Sequence, residues 1–393
     1  MNPPADTSAA RRVPELDGLR GVAILLVVFY HCVFGAVTPA WGRAGKIMLA
    51  AGPLSWSGVD LFFVLSGYLL GGILLDQRGS ANYFRVFYVR RICRIFPLYF
   101  LWLGLFVVVW WSLSADARAG WFNTVFGQDL SALHYGSYFV FLQNVWMAQR
   151  SAFGSAWFAA TWSLAVEEQF YLVLPLLIWL VPPRKLPGVL LLLVAFAPVF
   201  RLYLYLQHPS VFAYVLLPCR ADALLLGVLG AYLVRQERWR RCWEEHADWR
   251  GLGLILLLAG VGYLAYFASG QDDYALVTSF EMVSYGYTVL AVFYLFLLLV
   301  VVTRPAGFLA RVMRWSWLRF CGTVAYGVFL MHMAINGLAH GLLCGSRQPL
   351  IRRPVEALVT LGAIALTFVV ASISWRRWEK PIVAWGHSFV YTK

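Results

Sequence analysis

Ten long apolar stretches dominate this sequence and limit what it can fold into. A helix that crosses the hydrocarbon core of a bilayer needs about 20 mostly apolar residues. Lipid offers no hydrogen-bonding partner to the backbone, so such stretches form helices that satisfy their own N–H and C=O groups. The stretches lie at roughly 19–37, 56–75, 95–112, 158–181, 187–206, 211–234, 251–268, 283–302, 318–342 and 355–375. We therefore predict an all-α fold, a polytopic membrane helical bundle with about ten transmembrane helices.

The charged residues predict how this bundle lies in the membrane. The net charge is +13, from 32 Lys and Arg against 19 Asp and Glu. If the N-terminus is cytoplasmic, most of the basic residues fall on the cytoplasmic side, which agrees with the positive-inside rule and puts both termini inside. We predict a disordered cytoplasmic N-terminus at 1–14, one integral-membrane domain at 15–380 and a short cytoplasmic tail at 381–393.

The first apolar stretch contains two polar residues at an informative spacing. Arg20 and His31 are separated by ten mostly apolar residues. Eleven steps along an α-helix make almost three turns, so both side chains lie on one stripe, about 16 Å apart. Asp17 is placed to cap this helix, which would put Arg20 in the first turn, where a cation is unfavourable without a nearby anion. The pattern predicts an anion-binding site near the start of this helix and an imidazole deep inside the membrane.

Further charges lie within the other apolar stretches. Asp60 is in the second, the adjacent pair Glu167 and Glu168 is in the fourth, and Arg220 and Asp222 are in the sixth. Intramembrane carboxylates are unfavourable by a few kcal/mol each, and they usually serve function. Arg220 and Asp222 are two residues apart, so each needs another partner. One pairing is Arg220 with a fourth-span glutamate, either as a structural ion pair or as part of a substrate contact.

A basic aromatic segment, residues 80–96, precedes the third apolar stretch. Arg91 and Arg94 are three apart, point the same way and can hold one phosphate between them. Contact with anionic lipid headgroups explains them equally well. The long connection at 113–156 carries aromatic residues that fit either sugar stacking or an interfacial aromatic belt. These aromatic residues include Trp121, Phe122, His134, Tyr135, Tyr138 and Trp146.

These polar residues together favour an enzyme. A neutral imidazole held by a carboxylate is a general base for a hydroxyl, and we expect His31 to be supported by Glu167 or Glu168. This chemistry requires a water-accessible passage to His31. We predict no metal site, because no ligand spacing stands out, and we interpret His332 and His340 as packing or hydrogen-bonding residues.

Several motifs in one order make the chain resemble a known family. The segments that carry the resemblance are LDGLRGVAILLVVFYHC, GVDLFFVLSGYLLGGILL, FYVRRICRIFPLYF, WSLAVEEQFYLVLPLL and CRADALLLGVLGAYL. They cover most of residues 15–235, and YGVFLMH and SWRRWEKP follow with a less distinctive pattern. The chain resembles the acyltransferase-3 family of bacterial integral-membrane acyltransferases, which includes many O-acetyltransferases of surface glycans.

The resemblance implies a reaction and roles for residues. It implies acyl-CoA, acetyl-CoA above all, as cytoplasmic donor substrate, no permanently bound cofactor, and a hydroxyl of a carbohydrate or other acceptor. By position His31 is the catalytic histidine, Arg20 is its motif partner, and Arg91 and Arg94 lie near the CoA phosphates. We add four candidate substrate-binding residues, which are Asp60, Arg220, Asp222 and Tyr326. The expected location is the bacterial inner membrane, and we expect no soluble extracytoplasmic esterase domain.

The sequence leaves other functions open. A proton-coupled transporter or flippase of an amphipathic substrate would also use intramembrane charges and a histidine, although no inverted repeat is evident. A scaffold for glycan-assembly enzymes explains the spans but not the buried charges. The acceptor, the choice between acetyl and longer acyl groups, and direct transfer versus an acyl-enzyme also stay open.

Overall fold

A computed structural model of the chain is built from ten long helices. It describes residues 13–37, 45, 52–114, 135–207, 211–269, 271, 273–345 and 348–392. By length and composition, ten helices in these residues can cross a membrane, which confirms the predicted all-α bundle. We label them α1 (Pro14–Phe34), α2 (Ser55–Asp76), α3 (Tyr83–Ser112), α4 (Thr161–Leu180), α5 (Leu186–Gln207), α6 (Phe212–Leu233), α7 (Asp248–Ala268), α8 (Met282–Thr303), α9 (Ser316–Cys344) and α10 (Pro354–His387).

Short helices connect or flank the long ones. They are Tyr135–Phe139, Gln143–Arg150, Glu237–Glu245, Asp273–Val277 and Phe308–Met313. The first two belong to the long connection before α4, and they pack into the bundle rather than away from it. Tyr138 is buried, and its carbonyl accepts a hydrogen bond from the Tyr99 hydroxyl of α3 at 2.9 Å. The aromatic side chains predicted for this connection at Trp121, Phe122, His134 and Tyr135 lie outside what the structure describes.

Glycines set the tightest helix contacts. A Cβ on Gly21 of α1 would collide with the Leu318 carbonyl of α9, and a Cβ on Gly322 would collide with the Asp17 carbonyl. Small residues allow backbones to approach in this way in membrane bundles. The pairs α1–α9 and α2–α6 make the most extensive contacts in the described chain. The glycines therefore decide which helix lies beside α1.

A glycine pair in α2 has the same role. Gly67 of α2 lies against the carbonyl of Leu224 and against Gly227 of α6, and Gly71 contacts Val228. The close packing of α2 on α6 therefore depends on these two glycines. Helices α5, α7 and α10 are the least buried, and their many exposed leucines form the periphery of the bundle.

Helix α1 begins earlier than expected. It starts at Pro14, and its N-cap residue, Val13, makes no side-chain cap hydrogen bond. The prediction that Asp17 caps the helix is therefore wrong, because a proline at the first helical position already begins it one turn earlier. Asp17 lies within the helix, where its carboxylate pairs with Arg20 at 3.3 Å. The last part of α1, Phe29–Phe34, is a π-helical turn that contains His31.

Candidate active site

A cavity of about 130 Å³ collects many of the predicted site residues. It lies between α1, α2, α3, α4 and α9. Its polar lining consists of Arg20, Ser66, Arg91, Arg94, Ser163, Glu167, Tyr171 and Tyr326. Three arginines against one carboxylate leave an excess of positive charge, so the cavity is suited to an anionic ligand.

The two arginines of the third helix reach this cavity together. Arg91 and Arg94 lie on one side of α3, as their three-residue spacing predicts, and both line the cavity. Arg20 joins them from α1. The Arg94 guanidinium lies 4.9 Å from the centroid of the Trp375 ring of α10, a cation–π contact that restricts its position.

Their neighbour Arg90 has a different environment. Its guanidinium donates to the Phe389 carbonyl at 2.7 Å and lies 5.1 Å from the centroid of the Tyr391 ring. One residue along a helix changes the direction of a side chain by about 100°. Arg90 therefore bonds to the C-terminal segment, whereas Arg91 and Arg94 line the cavity.

The adjacent glutamates of α4 also have different environments. Glu167 faces the cavity, and its two oxygens accept hydrogen bonds from Ser66 Oγ and the Tyr171 hydroxyl, each at 2.9 Å. Glu168 is buried, and its Oε1 has no hydrogen-bond partner among the described residues. Two adjacent residues on a helix cannot face one partner, as expected.

His31 is bonded to another histidine. Its Nδ1 lies 3.0 Å from Nε2 of His332 on α9, and the ring centroids are 5.0 Å apart. The expected support from Glu167 or Glu168 does not appear among the described side-chain hydrogen bonds of His31, since Glu167 bonds to Ser66 and Tyr171 and Glu168 Oε1 has no partner there. The physical reason is the glycine contact, which brings α9 beside α1, whereas α4 packs against α2 and α6.

The sequence predicts only a packing or hydrogen-bonding role for this second histidine, His332. Its hydrogen bonding is confirmed, and its partner is His31, the proposed catalytic histidine. Sequence spacing carries no signal for a contact between residues 301 positions apart. The usable signals were the presence of a second intramembrane histidine and the small residues Gly21 and Gly322, which mark close helix pairs.

One aromatic ring of the cavity lining also contacts the histidine pair. Phe62 of α2 and Phe329 of α9 both line the cavity, and their ring centroids are 6.4 Å apart. The Phe329 ring also lies 6.1 Å from the His332 ring. The lining of this cavity in the described chain does not include His31. The cavity therefore does not extend to His31 in this conformation, and the water-accessible passage to His31 stays a prediction.

The remaining predicted site residues form a buried charge network away from the cavity lining. Arg220 pairs with Asp60 at 2.6 Å, and Asp222 pairs with Arg201 at 2.9 Å. The predicted pairing of Arg220 with a fourth-span glutamate is wrong, because α2 packs closely on α6 and supplies the nearer carboxylate. Arg220 and Asp222 pair with different residues, Asp60 and Arg201, as their two-residue spacing predicts.

This network is almost fully closed to solvent. The Asp222 carboxylate also accepts from the Thr288 hydroxyl at 2.7 Å, and the Arg220 guanidinium lies 4.2 Å from the centroid of the Tyr287 ring. Both arginines are at most 1% exposed. Ion pairs buried to this degree orient helices, and removal of one partner leaves the other as an uncompensated buried charge. Tyr326, by contrast, lies at the cavity, where its hydroxyl donates to the Ile95 carbonyl at 2.8 Å.

Comparisons with known proteins identify what this chain is similar to. A family profile described as "Acyltransferase domain" matches residues 13–376. The protein YrhL of Bacillus subtilis, provisionally named a peptidoglycan O-acetyltransferase, is 31% identical over 97% of this chain. The peptidoglycan O-acetyltransferase OatA of Listeria monocytogenes is 29% identical over 94%. The chain spans 56% of the length of each relative. No solved structure matches it.

Proposed function

The chain belongs to the acyltransferase-3 family, and from that premise we propose that it is a membrane-embedded O-acyltransferase. It transfers a short acyl group, acetyl in the first place, from acyl-CoA to a hydroxyl of a glycan. The names of the two relatives favour acetyl as the group and peptidoglycan as the acceptor. The observation that carries the proposal is the convergence of three arginines on one cavity beside the helix that bears His31.

The cavity fits part of an acyl-CoA donor. Arg91 and Arg94 offer several N–H donors in one direction, which suits a phosphate or pyrophosphate. A volume of about 130 Å³ is well below the roughly 300–1,000 Å³ of pockets that enclose a drug-sized ligand. We infer that the cavity receives only part of the donor, with the phosphates at the arginines and the acyl arm directed along α1. The nucleotide then remains outside.

His31 is the general base in this proposal. Its imidazole takes the proton from the acceptor hydroxyl, whose oxygen attacks the thioester carbonyl. The C–O bond forms, the C–S bond breaks, and the CoA thiolate leaves and takes up the proton that His31 received. Arg20 and His31 lie eleven residues apart on α1, which corresponds to about 16 Å along the axis. A flexible thioester arm can extend over that length from the arginines, provided that Phe62 and Phe329 move aside.

The proposed orientation follows from charge. The basic residues cluster at the end of the bundle where α1 begins, which favours a cytoplasmic N-terminus in the plasma membrane of a bacterium. In this orientation the arginine-lined end of the cavity faces the cytoplasm, where acyl-CoA is found. His31, nearer the other end of α1, is closer to an acceptor at the outer face.

The test uses purified protein in liposomes with labelled acetyl-CoA and a soluble peptidoglycan fragment as acceptor. His31→Ala should lose transfer at normal abundance, and retained transfer ends the general-base assignment. The double variant Arg91→Ala with Arg94→Ala should raise the donor KM at least about tenfold, because each charge-assisted hydrogen bond contributes about 1.5–3 kcal/mol.

The matched control is Arg90→Ala on the same helix. Arg90 bonds to the Phe389 carbonyl and does not line the cavity, so its loss should leave the donor KM unchanged. Equal donor KM values in all three proteins would contradict the phosphate assignment and return Arg91 and Arg94 to a role in lipid contact.

A further inference from the structure

The hydrogen bonds around His332 determine which of its nitrogens carries a proton. Its Nδ1 lies 2.8 Å from the Phe329 carbonyl oxygen and 3.1 Å from the Val328 carbonyl oxygen of its own helix. A carbonyl oxygen can only accept, so Nδ1 must be the donor. A neutral imidazole carries one N–H, which leaves Nε2 of His332 with a lone pair. His332 is 1% exposed, and this burial favours the neutral ring.

This assignment determines the proton position on His31 in turn. The acceptor Nε2 of His332 is 3.0 Å from Nδ1 of His31, a normal hydrogen-bond distance. Because the His332 nitrogen accepts, Nδ1 of His31 must donate. The remaining nitrogen of His31, Nε2, then holds the lone pair. A chain of two hydrogen bonds thus runs from the backbone carbonyls of α9 to the catalytic face of His31.

We propose that His332 is a positioning residue that holds His31 in the tautomer whose Nε2 is the base. This inference rests on the proposed function, in which His31 takes a proton from the acceptor hydroxyl. When Nε2 receives that proton, Nδ1–H remains bonded to His332, and the hydrogen bond becomes charge-assisted and stronger. His332 thereby acts as the orienting group that a carboxylate provides in the hydrolase triads, and it carries no charge of its own.

The local backbone supports this assignment. His31 lies in the π-helical turn Phe29–Phe34, and such turns in α-helices frequently mark functional sites. The turn changes the direction of side chains relative to a regular helix. The contact also depends on the close α1–α9 approach at Gly21 and Gly322.

The same helix supplies a matched comparison. His340 is also buried on α9, and its Nε2 lies 2.8 Å from Thr360 Oγ1 of α10. His340 takes no part in the cavity lining or the histidine pair of the described chain. Its replacement removes a buried histidine and one hydrogen bond without touching the tautomer of His31.

The experiment compares four purified variants in the liposome transfer assay, with abundance and thermal unfolding measured for each. His332→Gln places an amide oxygen close to the position of Nε2, where it can accept from His31. His332→Asn keeps a polar amide but is too short to reach it, and His332→Leu offers no acceptor. His340→Gln is the control. Loss of the orienting group should lower kcat by about 10²–10⁴-fold, with the donor KM unchanged because the arginines are intact.

The expected order of kcat is wild type and His340→Gln, then His332→Gln, then His332→Asn and His332→Leu. A His332→Leu protein with wild-type kcat overturns the proposal. If His332→Leu does not fold, the comparison of Gln with Asn decides, and equal kcat values in these two variants overturn it. Transfer that is lost in His31→Ala but kept in His332→Leu refutes only the positioning role. Transfer that survives His31→Ala refutes the proposed general base as well.

Discussion

The packing of α1 on α9 makes a testable link between a glycine and the reaction. Gly21 faces the backbone of α9 so closely that an added Cβ would overlap the Leu318 carbonyl oxygen and lie 3.3 Å from the Gly322 nitrogen. Backbone cannot move aside as a flexible side chain does. In Gly21→Ala the two helices must therefore separate by about 1 Å at this level.

The expected change in stability of Gly21→Ala follows from two opposing effects. Alanine favours a helix over glycine by roughly 0.5–1 kcal/mol, whereas overpacking a tight contact typically destabilises by about 1–3 kcal/mol. Net destabilisation on the order of 1 kcal/mol is expected. A similar displacement at the site would stretch the 3.0 Å bond between His31 and His332 beyond hydrogen-bonding range. We therefore expect transfer to fall more than stability does.

The assay pairs thermal unfolding in detergent with kcat for acyl transfer. The control is Gly104→Ala in α3, because a Cβ there meets nothing within 4 Å. This variant should be as stable as the wild type or slightly more stable, with normal activity. If Gly21→Ala is as stable and as active as Gly104→Ala, the contact between α1 and α9 is not tight, and the reasoning that links it to the histidine pair is refuted.

Two further predictions concern the other polar groups. Arg220→Met should destabilise the protein by about 3–5 kcal/mol, because it leaves the buried Asp60 carboxylate unpaired. The addition of Asp60→Asn should recover much of that loss, and additive effects in thermal unfolding would contradict a direct pair. Tyr171→Phe removes the 2.9 Å bond to Glu167, so stability should fall by about 1 kcal/mol. Unchanged unfolding and unchanged kcat would show that this bond has no role.

Much of the architecture could be predicted because it depends on local information. The length of an apolar stretch and the need to satisfy backbone groups in lipid are sufficient to indicate a spanning helix. All ten predicted stretches correspond to helices of the structure. The start of α1 was missed because Asp17 and Pro14 both signal a helix beginning, and the proline, nearer the N-terminus, begins it.

The shared direction of Arg91 and Arg94 was equally predictable, since helical geometry decides it within one turn. The partners of His31 and Arg220 were not. Several groups on other helices can bond to each of these residues, and spacing along the chain does not show which of them is the partner. From the sequence we expect a glutamate beside His31 and name a fourth-span glutamate as one pairing for Arg220, because carboxylates are the usual partners of such groups.

The amino-acid sequence alone thus determined the number of spanning helices, the stripe that joins Arg20 to His31, and the presence of charges that lipid cannot accommodate. These properties follow from hydrophobic length and helical period, which act over a few turns. Only the tertiary structure decided that His31 meets His332 and that Arg220 meets Asp60. Helix order in a bundle is selected by close backbone contacts at glycines, and these contacts join residues hundreds of positions apart.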